Sequence, residues 1–170
     1  MTIVIAITGG IGSGKSTFSK EVRKRGYRLL DSDEEVAKIY KNPKRSFLDY
    51  LFKIDLIKST NIKKINKNVI AKAIFSSKIK RLKLEKYIYK IVRENRKNFI
   101  KKEKKRKTKI VFLDIPLLFE KKLEENFDIV ISIISNKKNR FKRIKKTKKV
   151  SRDLFKKIIN SQTTDVERRN

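Results

Sequence analysis

One segment of the chain fits the pattern G-x-x-x-x-G-K-[ST], whose chemistry is the binding of nucleotide phosphates: Gly9-Gly10-Ile11-Gly12-Ser13-Gly14-Lys15-Ser16. Glycines let the backbone wrap closely enough for its N–H groups to point at phosphate oxygens, and a helix starting at Lys15 adds positive potential. We expect the ammonium of Lys15 to bridge the β- and γ-phosphates, and the hydroxyl of Ser16 to hold Mg²⁺, which prefers oxygen ligands. The motif therefore predicts binding of a nucleoside triphosphate, with an unliganded glycine turn as the alternative.

Three aspartates follow short apolar runs and are candidates for acid–base or metal chemistry. Asp31 and Asp33 come after residues 27–30, and Asp114 comes after residues 110–113. The chain has no His and no Cys, which excludes His bases, thiolate nucleophiles and ordinary zinc sites. We expect a carboxylate of this pair, Asp31 or Asp33, to accept a hydroxyl proton, and Asp114 to help organise Mg²⁺. A helix N-cap plus turn at Asp31 and Asp33 and a strand-end turn at Asp114 are the alternative interpretations.

The elements that must position these residues alternate between strands and helices. Short, mostly apolar runs bounded by turn signals predict strands at 3–7, 27–30, 110–113 and 128–134. Helical spacing predicts helices from Lys15 to near Gly26 and over 36–40, 136–146 and 151–162, with a mostly helical segment at 44–107. The Lys- and Asn-rich residues 57–68 predict a loop inside that segment. This alternation predicts an α/β fold with helices on both faces of a sheet.

The chain is strongly basic, with 48 Lys and Arg against 18 Asp and Glu and a formal charge of +30 over 170 residues. Such charge can be a footprint for nucleic acid or a solvated surface produced by an AT-rich gene. The scatter of the lysines over the whole length favours the second interpretation. No apolar stretch approaches the ~20 residues of a membrane span, and residues 3–7 are too short for a signal-peptide core. We therefore expect a soluble, cytoplasmic protein without a membrane partner.

Three motifs together resemble the dephospho-coenzyme A kinase family. They are Thr8 to Thr17, which contains the glycine pattern, Asp31-Ser32-Asp33, and Leu113-Asp-Ile-Pro-Leu-Leu-Phe-Glu120. The second and third motifs in combination are much more selective than the first, which many kinases share. The resemblance spans essentially the whole chain. It implies ATP-dependent phosphorylation of the 3′-hydroxyl of dephospho-CoA, which gives CoA and ADP in the last step of coenzyme A synthesis, with ATP and Mg²⁺ as cofactors.

The resemblance also implies roles for individual residues. The implied catalytic residues are Lys15, Asp33 as base and hydroxyl-orienting group, and Arg143, which stabilises charge on the transferred phosphoryl. The implied nucleotide-binding residues are Gly10, Ile11, Gly12, Ser13, Gly14, Lys15, Ser16, Thr17 and Arg168. The implied acceptor-binding residues are Asp33, Tyr89, Arg93, Leu117, Leu118 and Glu120, and the metal-binding residues are Ser16 and Asp114. A solvated surface charge is the alternative interpretation of Arg143 and Arg168.

The fold implied by the resemblance is a three-layer P-loop kinase fold, with the first strand inside a parallel sheet of at least four strands. Its core comprises residues 1–40, 108–136 and 151–170. A helical acceptor-binding insert, the CoA-binding domain, comprises residues 41–107, and a short lid comprises residues 137–150.

Three features depart from the family pattern. Tyr89-Lys90 occupies the place of the usual His-Pro, so this position keeps a ring and a hydroxyl but has no proton switch near neutrality. Thr147 occupies the place of a second lid arginine. The sequence stops at Asn170, where the family continues with a strand and a helix, which indicates a shortened gene or a fragment.

Two other functions are open at this point. One is another small-acceptor P-loop kinase, such as a nucleoside or nucleoside monophosphate kinase, against which the second and third motifs count. The other is a basic nucleic-acid-binding protein, for which no aromatic-basic recognition motif is present. A GTPase is disfavoured because Asn136-Lys137-Lys138-Asn139 lacks the final Asp of N-K-x-D. Dephospho-CoA is the expected partner, nucleic acid is not, and the oligomeric state is open.

Overall fold

The computed structural model describes residues 1–62, 65–147 and 150–168, with the side chain of Thr147 outside the description. The strands are β1 (Ile3–Thr8), β2 (Arg28–Asp31), β3 (Ile110–Asp114) and β4 (Ile129–Ser132). The helices are α1 (Lys15–Lys24), α2 (Ser32–Lys41), α3 (Arg45–Lys53), α4 (Lys67–Phe75), α5 (Lys78–Lys105), α6 (Lys137–Thr147) and α7 (Arg152–Asn160). Two short 3₁₀ turns, Phe119–Lys121 and Glu124–Asn126, lie between β3 and β4. None of the described helices is both long and apolar enough to cross a membrane.

The four strands form one parallel sheet in the order β2-β3-β1-β4, so β1 lies inside the sheet. Val4 and Ala6 of β1 pack into one hydrophobic cluster, whereas Ile5 and Ile7 pack into another. Because successive side chains of a strand point to opposite faces, both faces of β1 are covered. This explains the uninterrupted apolar run of β1, and the predicted α/β fold with a parallel sheet is confirmed.

The chain forms two compact units. One comprises Met1–Ser32 and Phe99–Asn170 and contains the sheet, and the other comprises Asp33–Asn98 and is helical. The helical unit has a hydrophobic core of its own, centred on Phe47 and Leu51 of α3 and Leu84 of α5. The division into a core, an acceptor-binding domain at 41–107 and a lid at 137–150 concerns ligand binding and stays a prediction.

Local hydrogen bonds explain where several elements begin and end. The side chain of Ser151 accepts the N–H of Leu154 at 3.2 Å, which makes Ser151 the N-cap of α7. Gly26 follows α1 with φ of 82°, a conformation that ends a helix. Strand β4 is shorter than predicted, and Asp128, just before it, accepts the N–H of Val4 on its carboxylate at 2.7 Å. The run of cations after Lys101 is helical as far as Lys105, where α5 ends.

Candidate active site

The glycine-rich motif forms the loop between β1 and α1, and we call residues 9–16 the phosphate loop. Gly12 has φ of 73° and Gly14 has φ of 109°, conformations that side chains other than glycine rarely adopt. A Cβ at Gly12 would also lie 2.7 Å from the carbonyl oxygen of Arg140. The loop leads directly into α1, so the positive end of this helix faces any phosphate that the loop binds. Ser16 and Thr17, in the first turn of α1, are exposed.

Lys15 and Asp114 meet at the carboxyl end of the sheet. The Nζ of Lys15 donates to Oδ1 of Asp114, and the Oγ of Ser19 donates to Oδ2 of the same carboxylate at 2.6 Å. Asp114 is fully buried, whereas the side chain of Lys15 is 12% exposed. Burial of an ionised carboxylate is costly unless it is paired and hydrogen-bonded, and both oxygens of Asp114 meet that condition. The pair fixes Lys15 beside the phosphate loop.

The second motif begins at the same edge of the sheet. Asp31 ends β2 and is paired in register with Asp114, the last residue of β3. Asp33 lies two residues further, exposed in the first turn of α2, together with Glu34 and Glu35. Carboxylates in the first helical turn are favoured by the helix dipole. The position of Asp33 beyond a parallel strand is therefore explained by the fold, and its role as a base stays a prediction.

Arginines of α6 contact the backbone of the phosphate loop. The Nη1 of Arg143 donates to the carbonyl oxygens of Gly12 at 3.2 Å and Ser13 at 2.8 Å. The Nε of Arg140 donates to the carbonyl oxygen of Ile11 at 2.8 Å. Arg140 was not among the residues predicted from the sequence, and the only signal for it is its position three residues before Arg143 on the same helix.

A hydrogen-bond network around the buried Arg168 joins the third motif to the end of the described chain. The side chain of Arg168 is fully buried and donates to Oε1 of Glu120 at 3.1 Å and to Oδ1 of Asp165 at 3.4 Å. The N–H of Thr163 also donates to Oε1 of Glu120, at 2.8 Å. The Oε1 of Gln162 accepts the N–H of Ile11 at 3.0 Å, which brings this segment to the phosphate loop. Asp165 was not among the predicted site residues.

The structure brings together two residues that were predicted to bind different ligands. Glu120 of the predicted acceptor site pairs with Arg168 of the predicted nucleotide site. Leu118 is fully buried in the core, whereas Leu117 is 43% exposed. Their ligand-binding roles stay predictions.

The helical unit contains a basic, aromatic groove between α3 and α5. It is a cavity of about 750 Å³ lined by Tyr50, Lys53, Ile54, Lys83, Lys86, Tyr87, Tyr89, Lys90 and Arg93. The rings of Tyr50 and Tyr87 stack with centroids 4.0 Å apart. Five of these lining residues are cations and none is a carboxylate. Tyr89 and Arg93, both predicted from the sequence to bind the acceptor, lie in this groove.

Two of the departures from the family pattern lie outside the described residues. They are the side chain of Thr147 and the end of the sequence at Asn170.

Arg96 lies over the ring of Tyr89, with its guanidinium carbon 5.9 Å from the ring centroid. This contact places a cation beside the ring that stands where the family usually has His-Pro.

A model of the dephospho-CoA kinase family (CoaE) matches residues 3–170. A dephospho-CoA kinase of Fusobacterium nucleatum is 33% identical over 170 residues, covering 98% of this chain and 84% of the relative. One of Bartonella henselae is 34% identical over 131 residues, covering 76% of this chain and 65% of the relative.

Two solved structures are also similar to this chain. The crystal structure of TT1252 from Thermus thermophilus has a TM-score of 0.77 at 28% identity, covering 99% of this chain and 84% of that one. The dephospho-CoA kinase from Campylobacter jejuni has a TM-score of 0.67 at 26% identity, covering 95% of this chain and 81% of that one. With the phosphate loop and both further motifs in place, the chain belongs to the dephospho-CoA kinase family.

Proposed function

We propose that this chain transfers the γ-phosphoryl group of ATP to the 3′-hydroxyl of dephospho-CoA and releases CoA and ADP, which completes coenzyme A synthesis. The observation that carries this function is the phosphate loop between β1 and α1, with Lys15 held beside it by the buried Asp114. The family to which the chain belongs supports ATP as the donor and dephospho-CoA as the acceptor. The matches lend no support to a nucleoside kinase or a nucleic-acid-binding protein.

The phosphate loop and Lys15 bind the β- and γ-phosphates in this mechanism. Loop N–H groups, the positive end of α1 and the Lys15 ammonium stabilise the charge of the phosphates as the γ-phosphoryl moves. Phosphoryl transfer depends mainly on positioning and electrostatic stabilisation, so this arrangement supplies much of the catalysis. Arg143 reaches the loop through the carbonyls of Gly12 and Ser13, and we assign it to the transferred phosphoryl group.

Asp33 acts as the base in this proposal. Its carboxylate orients the 3′-hydroxyl and takes the hydroxyl proton as the ribose oxygen forms its bond to the γ-phosphorus. The bond between the γ-phosphorus and the oxygen that bridges to the β-phosphate breaks, and ADP leaves with that electron pair. The chain has no His to serve instead, and Asp33 is exposed in the first turn of α2.

The basic groove of the helical unit binds the acceptor in this proposal. Dephospho-CoA carries a diphosphate, which the five cations of the groove complement, and its planar and apolar parts fit the tyrosine rings. Tyr89 and Arg93 supply acceptor contacts from this groove. Of the three residues predicted in the third motif, Leu117 has an exposed side chain that a ligand can contact.

Magnesium fits the oxygen ligands that the site offers. The hydroxyl of Ser16 is exposed at the start of α1, whereas both oxygens of the buried Asp114 accept from Lys15 and Ser19. Ser16 would hold the ion directly and Asp114 would help to organise the site through these two partners; when bound, the ion would neutralise charge on the β- and γ-phosphates. We also place the enzyme in the cytoplasm, where its positive charge attracts polyanionic nucleotides at a rate that falls with salt.

The test is incubation of the protein with ATP, Mg²⁺ and dephospho-CoA, followed by mass spectrometry. The expected products are CoA and ADP in equal amounts. Parallel reactions with nucleosides and nucleoside monophosphates measure acceptor choice, and duplex and single-stranded DNA measure nucleic-acid binding. Phosphorylation of a nucleoside in preference to dephospho-CoA, or tight DNA retention without ADP release that depends on dephospho-CoA, would overturn the proposal.

A further inference from the structure

The carbonyl groups of the phosphate loop need hydrogen-bond donors. A backbone carbonyl that is withdrawn from water is costly unless it accepts a hydrogen bond. Here the carbonyls of Ile11, Gly12 and Ser13 all accept hydrogen bonds from two arginines. Arg140 and Arg143 lie one turn apart on α6, so a single helix holds three successive carbonyls of the loop.

Arg140 is held in a defined position by its own partners. Its side chain is only 4% exposed, and its Nη1 pairs with Asp165 at 3.3 Å. Its Nη2 donates to Oε1 of Gln162 at 3.4 Å, the same oxygen that accepts the N–H of Ile11. Burial lowers the pKa of Arg140 below its ordinary value, and the charge of the nearby Asp165 only partly opposes this effect. The guanidinium nevertheless stays charged. A buried charge with these partners is fixed in place because moving it would leave a charge unpaired.

Arg140 also packs against the loop backbone itself. A Cβ at Gly10 would lie 2.2 Å from Nη2 of Arg140 and 2.9 Å from Nη1 of Arg168. The two guanidinium groups therefore occupy the space that a side chain at position 10 would need. Asp165 accepts from both arginines and keeps these like charges together.

We propose that Arg140 is a positioning residue for the nucleotide: it holds the backbone of the phosphate loop at the carbonyl of Ile11, so that the loop is already shaped for phosphates before ATP arrives. Each of its three nitrogens donates to a protein group, which distinguishes it from an arginine that binds phosphate itself. Asp165 acts through Arg140 by orienting it. The kinetic part of this inference rests on the proposed function, whereas the shape of the loop can be measured without turnover.

The test compares Arg140→Gln, Arg140→Lys and Asp165→Asn with the whole wild-type chain. Glu103→Gln is the matched control, because Glu103 is also a buried ion-paired residue of the same unit but contacts Arg28, Arg106 and Thr108 instead of the loop. Hydrogen exchange of a peptide containing residues 9–14 is measured without nucleotide, and steady-state rates give KM for ATP and for dephospho-CoA separately.

We expect Arg140→Gln to speed exchange of the loop peptide and to raise KM for ATP about ten- to hundredfold, with KM for dephospho-CoA within about twofold. Arg140→Lys keeps the positive charge, but a lysine has one side-chain nitrogen where the arginine uses three. Its loop exchange should therefore stay faster, and its KM for ATP higher, than in the wild-type chain. Asp165→Asn is expected to give a smaller effect in the same direction. Glu103→Gln should lower the melting temperature and leave loop exchange and both KM values unchanged.

Several results would overturn the inference. The first is unchanged loop exchange in Arg140→Gln. The second is wild-type loop exchange and wild-type KM for ATP in Arg140→Lys, and the third is an equal rise of KM for ATP and for dephospho-CoA in Arg140→Gln. If Arg140→Gln does not fold, Asp165→Asn decides between the same outcomes through loop exchange. Absence of CoA production by the wild-type chain would refute the proposed function alone, because loop exchange tests the positioning role without it.

Discussion

The ammonium of Lys15 is paired with the fully buried carboxylate of Asp114, the last residue of β3. This pair joins the helix that follows the phosphate loop to the strand that begins the third motif. It keeps the lysine charge next to the phosphate loop, and it keeps Asp114 from being an unpaired buried charge. In the proposed function, ATP adds phosphate oxygens as further partners of an ammonium that is already in place.

Replacement of Lys15 by alanine should abolish CoA formation, with a loss of about a thousandfold or more, because the charge that stabilises the transferring phosphoryl group is removed. An ADP-release assay measures the loss. Lys20→Ala, an exposed lysine of the same helix, is the control and should keep wild-type turnover. Substantial ADP release by Lys15→Ala that depends on dephospho-CoA would contradict this prediction.

Asp33→Asn should lower turnover about a hundred- to a thousandfold, because an amide cannot accept the hydroxyl proton. ATP affinity, measured by calorimetry, should stay within about twofold of wild type, since Asp33 lies outside the phosphate loop. The neighbouring Glu34→Gln, in the same exposed helical turn, should keep its turnover. Wild-type rates for Asp33→Asn would remove its role as the base.

Gly12→Ala should weaken ATP binding by about tenfold or more, because a Cβ at this position meets the Arg140 carbonyl oxygen and φ is 73°. Gly26→Ala is the matched control: φ there is 82°, but a Cβ would have no neighbour within 4 Å. Both variants should lose about 1 kcal/mol of stability from the left-handed backbone. Equal ATP affinity in the two variants would show that the loop tolerates a side chain at position 12.

Arg93→Ala should raise KM for dephospho-CoA about tenfold and leave KM for ATP unchanged, because a charged contact in the basic groove is lost. Arg81→Ala is a matched control on the same helix, since the side chains of Arg81 and Arg93 are 51% and 54% exposed and only Arg93 lines the groove. Similar kinetic effects of both substitutions would indicate that general positive charge, and not the groove, attracts the acceptor.

Stability should fall on acidification through Glu103. Burial by itself raises the pKa of Glu103, but a hydrogen bond from Thr108 and the charges of Arg28 and Arg106 outweigh it and hold the pKa below the ordinary 4.5. The folded chain therefore binds fewer protons, and the stabilisation is complete above about pH 4.5 and is lost as the pH falls through the folded pKa.

Thermal melts of wild type and Glu103→Gln between pH 7 and pH 3 measure this effect. Glu103→Gln should melt about 2–8 °C lower at pH 7, with a gap that closes on acidification. A gap independent of pH would mean that Glu103 stabilises the fold by packing alone.

The strands and the phosphate loop were predictable from the sequence because their signals are local. The apolar run of β1, the glycines after it and the helical spacing after Lys15 lie within a few residues of one another. Strand ends were less predictable: β4 begins after Asp128, which binds the backbone of Val4, a residue 124 positions away.

The arginines that hold the phosphate loop could not be predicted from local sequence signals. Arg140 and Ile11 are 129 residues apart, and no local pattern records their contact. In a chain with 48 Lys and Arg, most cations lie on the surface, so a buried arginine has no compositional signal. The pairing of Glu120 with Arg168 depends on the fold for the same reason.

The close fit of two guanidinium groups over Gly10 limits how this protein can change over evolutionary time. A larger residue at position 10 needs the space that the ends of the Arg140 and Arg168 side chains fill, so those side chains must move from their buried partners or become smaller to admit it. Substitutions at positions 10, 140 and 168, far apart in the chain, should therefore be coupled among descendants of this gene.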